Sequence, residues 1–166
     1  MPRLGSSVRK AATPAIAAVE AAGLSYKLHT YDVDPSQDDY GVAVADALGV
    51  DAGRVYKTLV AKLDGRDLVC AVVPVQCRLN EKALARAVGA RQAELADRAE
   101  AERKTGYVRG GISPLGQRQQ LPIIVDATAL EQQTMYVSAG KRGLQLELAP
   151  ADLIRLARAQ VAAVSI

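Results

Sequence analysis

The chain holds no phenylalanine, no tryptophan, one histidine and two cysteines in 166 residues, and each scarcity closes a chemical route. With aromatics reduced to six tyrosines, the core has to be assembled from Ala, Val, Leu and Ile, and tyrosine supplies every large flat surface. A lone histidine, His29, cannot build a His-rich zinc site, and neither HExxH nor GxSxG is present, which removes zinc hydrolases and the usual serine-triad enzymes. Cys70 and Cys77 form no CxxC pair and no secreted disulfide framework. Cys70 reads as a small buried hydrophobe within a strand, Cys77 as more open. The GxxxxGK[ST] phosphate loop is missing as well. No apolar run approaches the ~20 residues that cross a bilayer. The first thirty residues lack an apolar h-region with a small-residue cleavage site. The expectation is a cytoplasmic protein with no membrane partner.

What is present describes an ordinary domain. Hydrophobic residues make up 49% and charged ones 23%, enough of both for one core and a solvated surface. The net charge of +3 is too mild to demand a nucleic-acid partner, yet it allows a basic patch beside one pocket. Residues 1–12 are polar and basic and are expected to be loosely held, ahead of one domain over 13–166.

Thr13-Pro14 predicts an N-cap and first helical position, with Gly23 ending the helix. Leu24–Tyr31 alternates as a strand, and Gly41–Leu48 reads as a helix closed by Gly49. Val55–Leu63 and Leu68–Val75 form a hairpin across Asp64-Gly65, a type I′ pair. Asn80 and Asp97 cap two further helices. Strands follow at Pro122–Asp126, Thr134–Ser138 and Leu144–Leu148, then a helix from Pro150 and a last strand over Val161–Ile166. Strands and helices mix without a regular βα repeat. The fold class expected is therefore mixed α/β (α+β): one domain whose mixed, partly closed sheet is flanked by helices.

Four aspartates crowd the loop after the first strand (Asp32, Asp34, Asp38, Asp39), which reads as a solvated turn rather than a magnesium site. No metal and no organic cofactor is expected. Three other segments stand out. In Val55-Tyr56-Lys57-Thr58-Leu59-Val60 a strand lysine sits between apolar neighbours; it either guards a sheet edge or points into a cavity. In Thr105–Gln117 four glycines and a proline imply an ordered loop. Its bare backbone either makes an elaborate turn or brings fixed dipoles to a ligand. Val137-Ser138-Ala139-Gly140-Lys141-Arg142-Gly143-Leu144 is either a hairpin with solvated charges or a serine and glycine facing a ligand, with Lys141 and Arg142 attracting a phosphate.

Taken together and in this order, the three segments resemble the YbaK family of Cys-tRNA(Pro) deacylases, relatives of the editing domain inserted in bacterial prolyl-tRNA synthetases. The resemblance covers nearly the whole chain, and Gly110-Gly111-Ile112-Ser113-Pro114-Leu115-Gly116-Gln117 is its most specific stretch. It implies that Lys57 is the key site residue, with Gly110 and Gly111 acting on the aminoacyl group. Tyr31, Tyr40, Thr58, Ile112, Ser113, Ser138, Gly140, Lys141 and Arg142 would surround the aminoacylated tRNA end. Many relatives carry an acidic residue where this chain has Gln145.

The implied activity is hydrolysis of mischarged Cys-tRNA(Pro), with the substrate's own thiol as nucleophile and prolyl-tRNA synthetase as a helper. Two rivals stand beside it: an Ala-tRNA(Pro) or broader deacylase, and a module that grips tRNA ends without hydrolysis. The oligomeric state is not legible.

Overall fold

The computed structural model describes residues 12–166; the expected loose segment over 1–12 lies, but for Ala12, outside them. Five helices and eight strands are described: α1 (Pro14–Ala21), β1 (Lys27–Thr30), α2 (Tyr40–Leu48), β2 (Tyr56–Leu63), β3 (Asp67–Pro74), α3 (Glu81–Val88), β4 (Ala93–Leu95), α4 (Arg98–Thr105), β5 (Ile123–Asp126), β6 (Met135–Lys141), β7 (Leu144–Leu148), α5 (Pro150–Ala157) and β8 (Gln160–Ala162). Three helices start where their caps predict. The side chains of Thr13, Asn80 and Asp97 accept the N–H groups of Ile16, Ala83 and Glu100, satisfying donors that the helix itself leaves open. Asp64 and Gly65 take positive φ, 51° and 71°, as a type I′ turn requires.

The strands form two sheets rather than one. A mixed five-stranded sheet runs β4-β2-β3-β5-β8, and a three-stranded antiparallel sheet runs β1-β7-β6. Between them lies an isolated parallel bridge from Val55 to Tyr136. A register shift between Ser138 and Lys141 interrupts the β6–β7 ladder, as a bulge does. Two further differences have local causes. β4 is held by Asp64, whose Oδ1 accepts the N–H groups of Arg91 and Gln92, each at 3.0 Å. The last strand stops at Ala162 because buried Asp126 takes the Val164 N–H at 2.8 Å through Oδ1.

The central sheet is buried on both faces, as the alternation of β3 requires. Cys70 and Val72 enter a core shared with Ile16, Met135, Leu146 and Leu153, while Val69, Ala71 and Val73 pack with Leu84 under α3. A third, smaller cluster joins Ala45, Val55, Val75 and Tyr136 beneath α2. Short aliphatic side chains dominate all three, with buried Tyr56, Tyr107 and Tyr136 supplying the bulk that Phe or Trp would otherwise give. No helix among the described residues is long and apolar enough to cross a membrane.

Candidate functional site

A cleft of about 980 Å³ opens beside the first half of β2. It exists because β4 pairs only with Ala61–Leu63, leaving Lys57 with a strand partner, Val73, on the β3 side alone. β2 is thus an inner strand at its later end but an open one at Lys57, and the cleft lies along that open side. The Lys57 side chain lines the cleft, half-buried, and no carboxylate among the described residues pairs with it. Burial pushes its ammonium below the ordinary 10.5, against a smaller opposing pull from Cys77 and Asp39.

Beside Lys57 the wall is polar and neutral. Thr58 and Gln145 are 9% and 6% exposed, and Thr58 Oγ1 and Gln145 Oε1 have no hydrogen-bond partner among the described residues. Ser138 faces Gln145 across the β6–β7 ladder, and its Oγ accepts the Gly140 N–H at 3.1 Å. Tyr40 closes one side. Its hydroxyl meets that of Tyr31 at 3.1 Å, and burial followed by this bond raises its pKa. Tyr31 stands behind it, off the wall.

The glycine-rich loop supplies the facing lip. Val108–Gly111 is a tight turn closed by Gly111 N–H to Val108 O at 2.8 Å, with Gly110 at φ 85°, the position of a type II turn that demands glycine. The N–H of Gly111 is thereby spent, whereas that of Gly110 has no partner among the described residues. A Cβ on Gly111 would meet Lys141 Cα at 2.8 Å, so this glycine lets the loop lie against the β6–β7 hairpin. Of the remaining candidates, Ile112 and Arg142 line the cleft, while Lys141, Ser113 and Gly140 do not. Ser113 is fully buried, and its Oγ accepts the Leu115 N–H at 3.3 Å. Gly140, at φ 108°, makes room for the Tyr107 ring. The segment after Ile112 is an internal brace: Gln117 bonds Ser113 O and the Leu121 N–H, and Tyr107 donates to Leu115 O at 2.7 Å.

Sequence reasoning passed over several wall residues. Arg98, Glu102 and Arg109 form a polar rim in which Glu102 Oε2 accepts both the Arg109 N–H, at 2.8 Å, and Arg98 Nε, at 3.2 Å. The i, i+4 spacing of Arg98 and Glu102 was the one available signal. Arg142 Nε donates to Arg109 O at 2.8 Å, tying the same turn to the turn of the β6–β7 hairpin. Leu95, 55% exposed, lines the cleft from the sheet edge.

The imidazole and the two thiols lie off the cleft wall. His29 pairs with Glu147 at 2.8 Å, off the wall. Cys70 is buried and its thiol is pushed up to about 12 by burial; Cys77 does not line the cleft. No group of three metal-ligating side chains occurs among the described residues, the aspartate loop included. Around Lys57 the wall offers the ammonium, the Gly110 amide, the hydroxyls of Tyr40, Thr58 and Ser138 and the Gln145 carboxamide. Such a set holds and orients an activated carbonyl compound without attacking it.

Comparison with known proteins places this geometry in a lineage. The model of the aminoacyl-tRNA editing domain matches residues 34–156. The chain is 38% identical over 92% of its length to EbsC of Enterococcus faecalis, a candidate Cys-tRNA(Pro)/Cys-tRNA(Cys) deacylase, and covers 93% of it. It is 28% identical to ProXp-y of Escherichia coli, a multifunctional Ser/Thr-tRNA deacylase, over 72% of this chain and 74% of that one. Its fold matches the crystal structure of a candidate trans-editing enzyme for prolyl-tRNA synthetase with a TM-score of 0.80 at 24% identity, over 92% of this chain and 95% of the other. With the family model spanning the strand of Lys57, the glycine turn and the β6–β7 hairpin, the chain belongs to the aminoacyl-tRNA editing domain family.

Proposed function

We propose that this protein is a cytoplasmic, free-standing aminoacyl-tRNA deacylase whose principal substrate is Cys-tRNA(Pro), and that the cysteine supplies the nucleophile. The observation that carries the reading is a cleft with a lysine, Lys57, that no carboxylate pairs with among the described residues, and with no thiol to attack and no imidazole to activate a hydroxyl on its wall. The ester of a charged tRNA is already activated, so positioning and charge stabilisation suffice. The substrate's sulfur bonds to its own carbonyl carbon, the C–O bond to the ribose breaks, and the thiol proton passes to the departing ribose oxygen. Water then opens the resulting thiolactone. Lys57 holds the phosphate or hydroxyls of the terminal nucleotide, the Gly110 amide fixes the aminoacyl carbonyl, and Tyr40 packs on the substrate with Tyr31 behind it. The mild charge of +3 fits a weak, salt-sensitive grip on the tRNA body, assisted by prolyl-tRNA synthetase.

The test is release of labelled cysteine from Cys-tRNA(Pro), beside Cys-tRNA(Cys) and Ala-tRNA(Pro), by the wild type and Lys57→Ala. Lys57-dependent loss of cysteine with alanine retained supports the reading. Loss of alanine discards thiol attack. No hydrolysis at all leaves a tRNA-end binding module. An Ala-tRNA(Pro) or broader deacylase is the second reading, its breadth favoured by the relation to the multifunctional Ser/Thr-tRNA deacylase.

A further inference from the structure

The net charge of +3 is unevenly placed along the chain. Arg3, Arg9 and Lys10 fall within the first ten residues, where no Asp or Glu accompanies them. From Thr13 to Ile166, eighteen basic residues are matched by eighteen acidic ones. The excess over neutrality therefore belongs to one short segment.

The point where that segment meets the described fold lies close to the cleft. The Thr13 hydroxyl donates to Ala139 O, and a Cβ on Gly140 would stand 3.0 Å from Thr13 Cβ. Thr13 is thus seated beside the turn of the β6–β7 hairpin, next to Lys141 and Arg142. Those two and Arg109, whose carbonyl Arg142 holds, are exposed, and none is ion-paired among the described residues. Another stretch of the cleft wall has the opposite sign: Asp38 and Asp39 line it, with exposed Asp32 and Asp34 in the same loop. A polyanion at the cleft is repelled from the aspartate loop and drawn towards Arg109 and the hairpin turn.

Lys10 stands three residues before Thr13, at most about 10 Å of chain away, which is roughly one screening length at ordinary salt. Like charge keeps the segment off the basic rim, and a polyanion lying between them relieves both. We infer that residues 3–10 are an arm for the sugar–phosphate backbone of the tRNA, holding the acceptor stem from the hairpin side while the charged end enters the cleft. The inference rests on the deacylase reading and deepens it, naming where the tRNA body is gripped. Arg3, ten residues before Thr13, reaches up to about 35 Å, so the arm meets several phosphates along the stem. Phosphate contacts position a nucleic acid without reading its sequence. The arm accordingly adds affinity for any tRNA and leaves discrimination to other contacts.

The experiment uses the full chain carrying Arg3→Gln, Arg9→Gln and Lys10→Gln together. Its control loses the same charge from exposed residues in and just before α3, through Arg78→Gln, Lys82→Gln and Arg86→Gln. Affinity for uncharged tRNA(Pro) is measured between about 50 and 200 mM salt. Values of kcat and KM are taken for Cys-tRNA(Pro) and for 3′-O-cysteinyladenosine, an ester without a stem. The arm variant should lower the slope of log affinity against log salt by about 2–3 and raise KM for Cys-tRNA(Pro) by about 10-fold or more. Its kcat, and its handling of the adenosine ester, should match wild type, and the α3 variant should match wild type throughout.

An unchanged slope in the arm variant overturns the inference. Equal losses in both variants give the grip to overall charge and overturn it as well. A matching rise in KM on the adenosine ester places the effect in the cleft and removes the stem contact. Tighter binding or faster turnover in the arm variant makes the segment a strap over the aspartate loop, which also overturns the arm. Arm-dependent tRNA binding with no ester loss from either substrate keeps the arm and overturns the deacylase reading. Neither hydrolysis nor arm-dependent binding overturns both.

Discussion

Glu102 reaches out of α4 to accept the backbone N–H of Arg109 at 2.8 Å, and so anchors the turn that presents Gly110 to the cleft. This backbone bond, followed by the one from Arg98, holds the carboxyl below its ordinary 4.5. A depressed carboxylate contributes its support above the ordinary value and loses it as pH falls through the lowered one. Glu102→Ala should therefore cut kcat/KM by about 3–10-fold at neutral pH. The wild type should lose the same increment only in acid, which a paired pH–rate profile checks.

Lys57 carries the opposite sign. Its folded pKa is lowered by burial, so the native state resists the charge, and stability rises with pH between the lowered value and 10.5. The full cost is present below the lowered value. Lys57→Met should abolish deacylation while raising Tm by about 1–4 °C, a trade between stability and activity that thermal melts and an ester assay show together.

Gly111→Ala tests the close approach of loop and hairpin. The added methyl meets backbone, Lys141 Cα at 2.8 Å and Arg142 N at 3.0 Å, which cannot turn aside as a side chain can. A loss of about 1–3 kcal/mol in denaturant unfolding is expected, with the Gly110 amide displaced and activity lowered further than stability alone explains.

The thiols of the protein should be dispensable. Replacing Cys70 and Cys77 together by alanine is expected to preserve release of cysteine from Cys-tRNA(Pro), since one is buried and the other lies off the wall. Loss of activity in a folded double variant would sink the substrate-thiol scheme.

Arg109 and Arg142 meet at the rim, both exposed. If each meets one phosphate, Arg142→Ala should weaken tRNA binding and lower the slope of log affinity against log salt by about 1.

Much of this was legible because the signals were local. Thr13, Asn80, Asp97 and the Asp64-Gly65 turn act within a few residues, and each did what its chemistry predicts. β4 escaped notice because three residues show no alternation, and what fixes them is Asp64, 27 positions before Arg91. Lys57 announced itself as a charge in an apolar strand. Leu95 and Glu102 did not, because only the early end of β4 and the closure of α4 on the glycine turn bring them to the cleft. The GGISPLGQ stretch identified the family, yet its residues divide: Gly110 and Ile112 face the cleft, whereas Ser113 and Gln117 bond inward.

The isolated bridge between Val55 and Tyr136 has a mechanical consequence. The sheets that carry Lys57 and Gln145 meet through this bridge and through the core they share, so a ligand touching both adds a further tie between them. Occupancy should register as slowed amide exchange in β2 and β7 together, far beyond the few residues that the ligand itself touches.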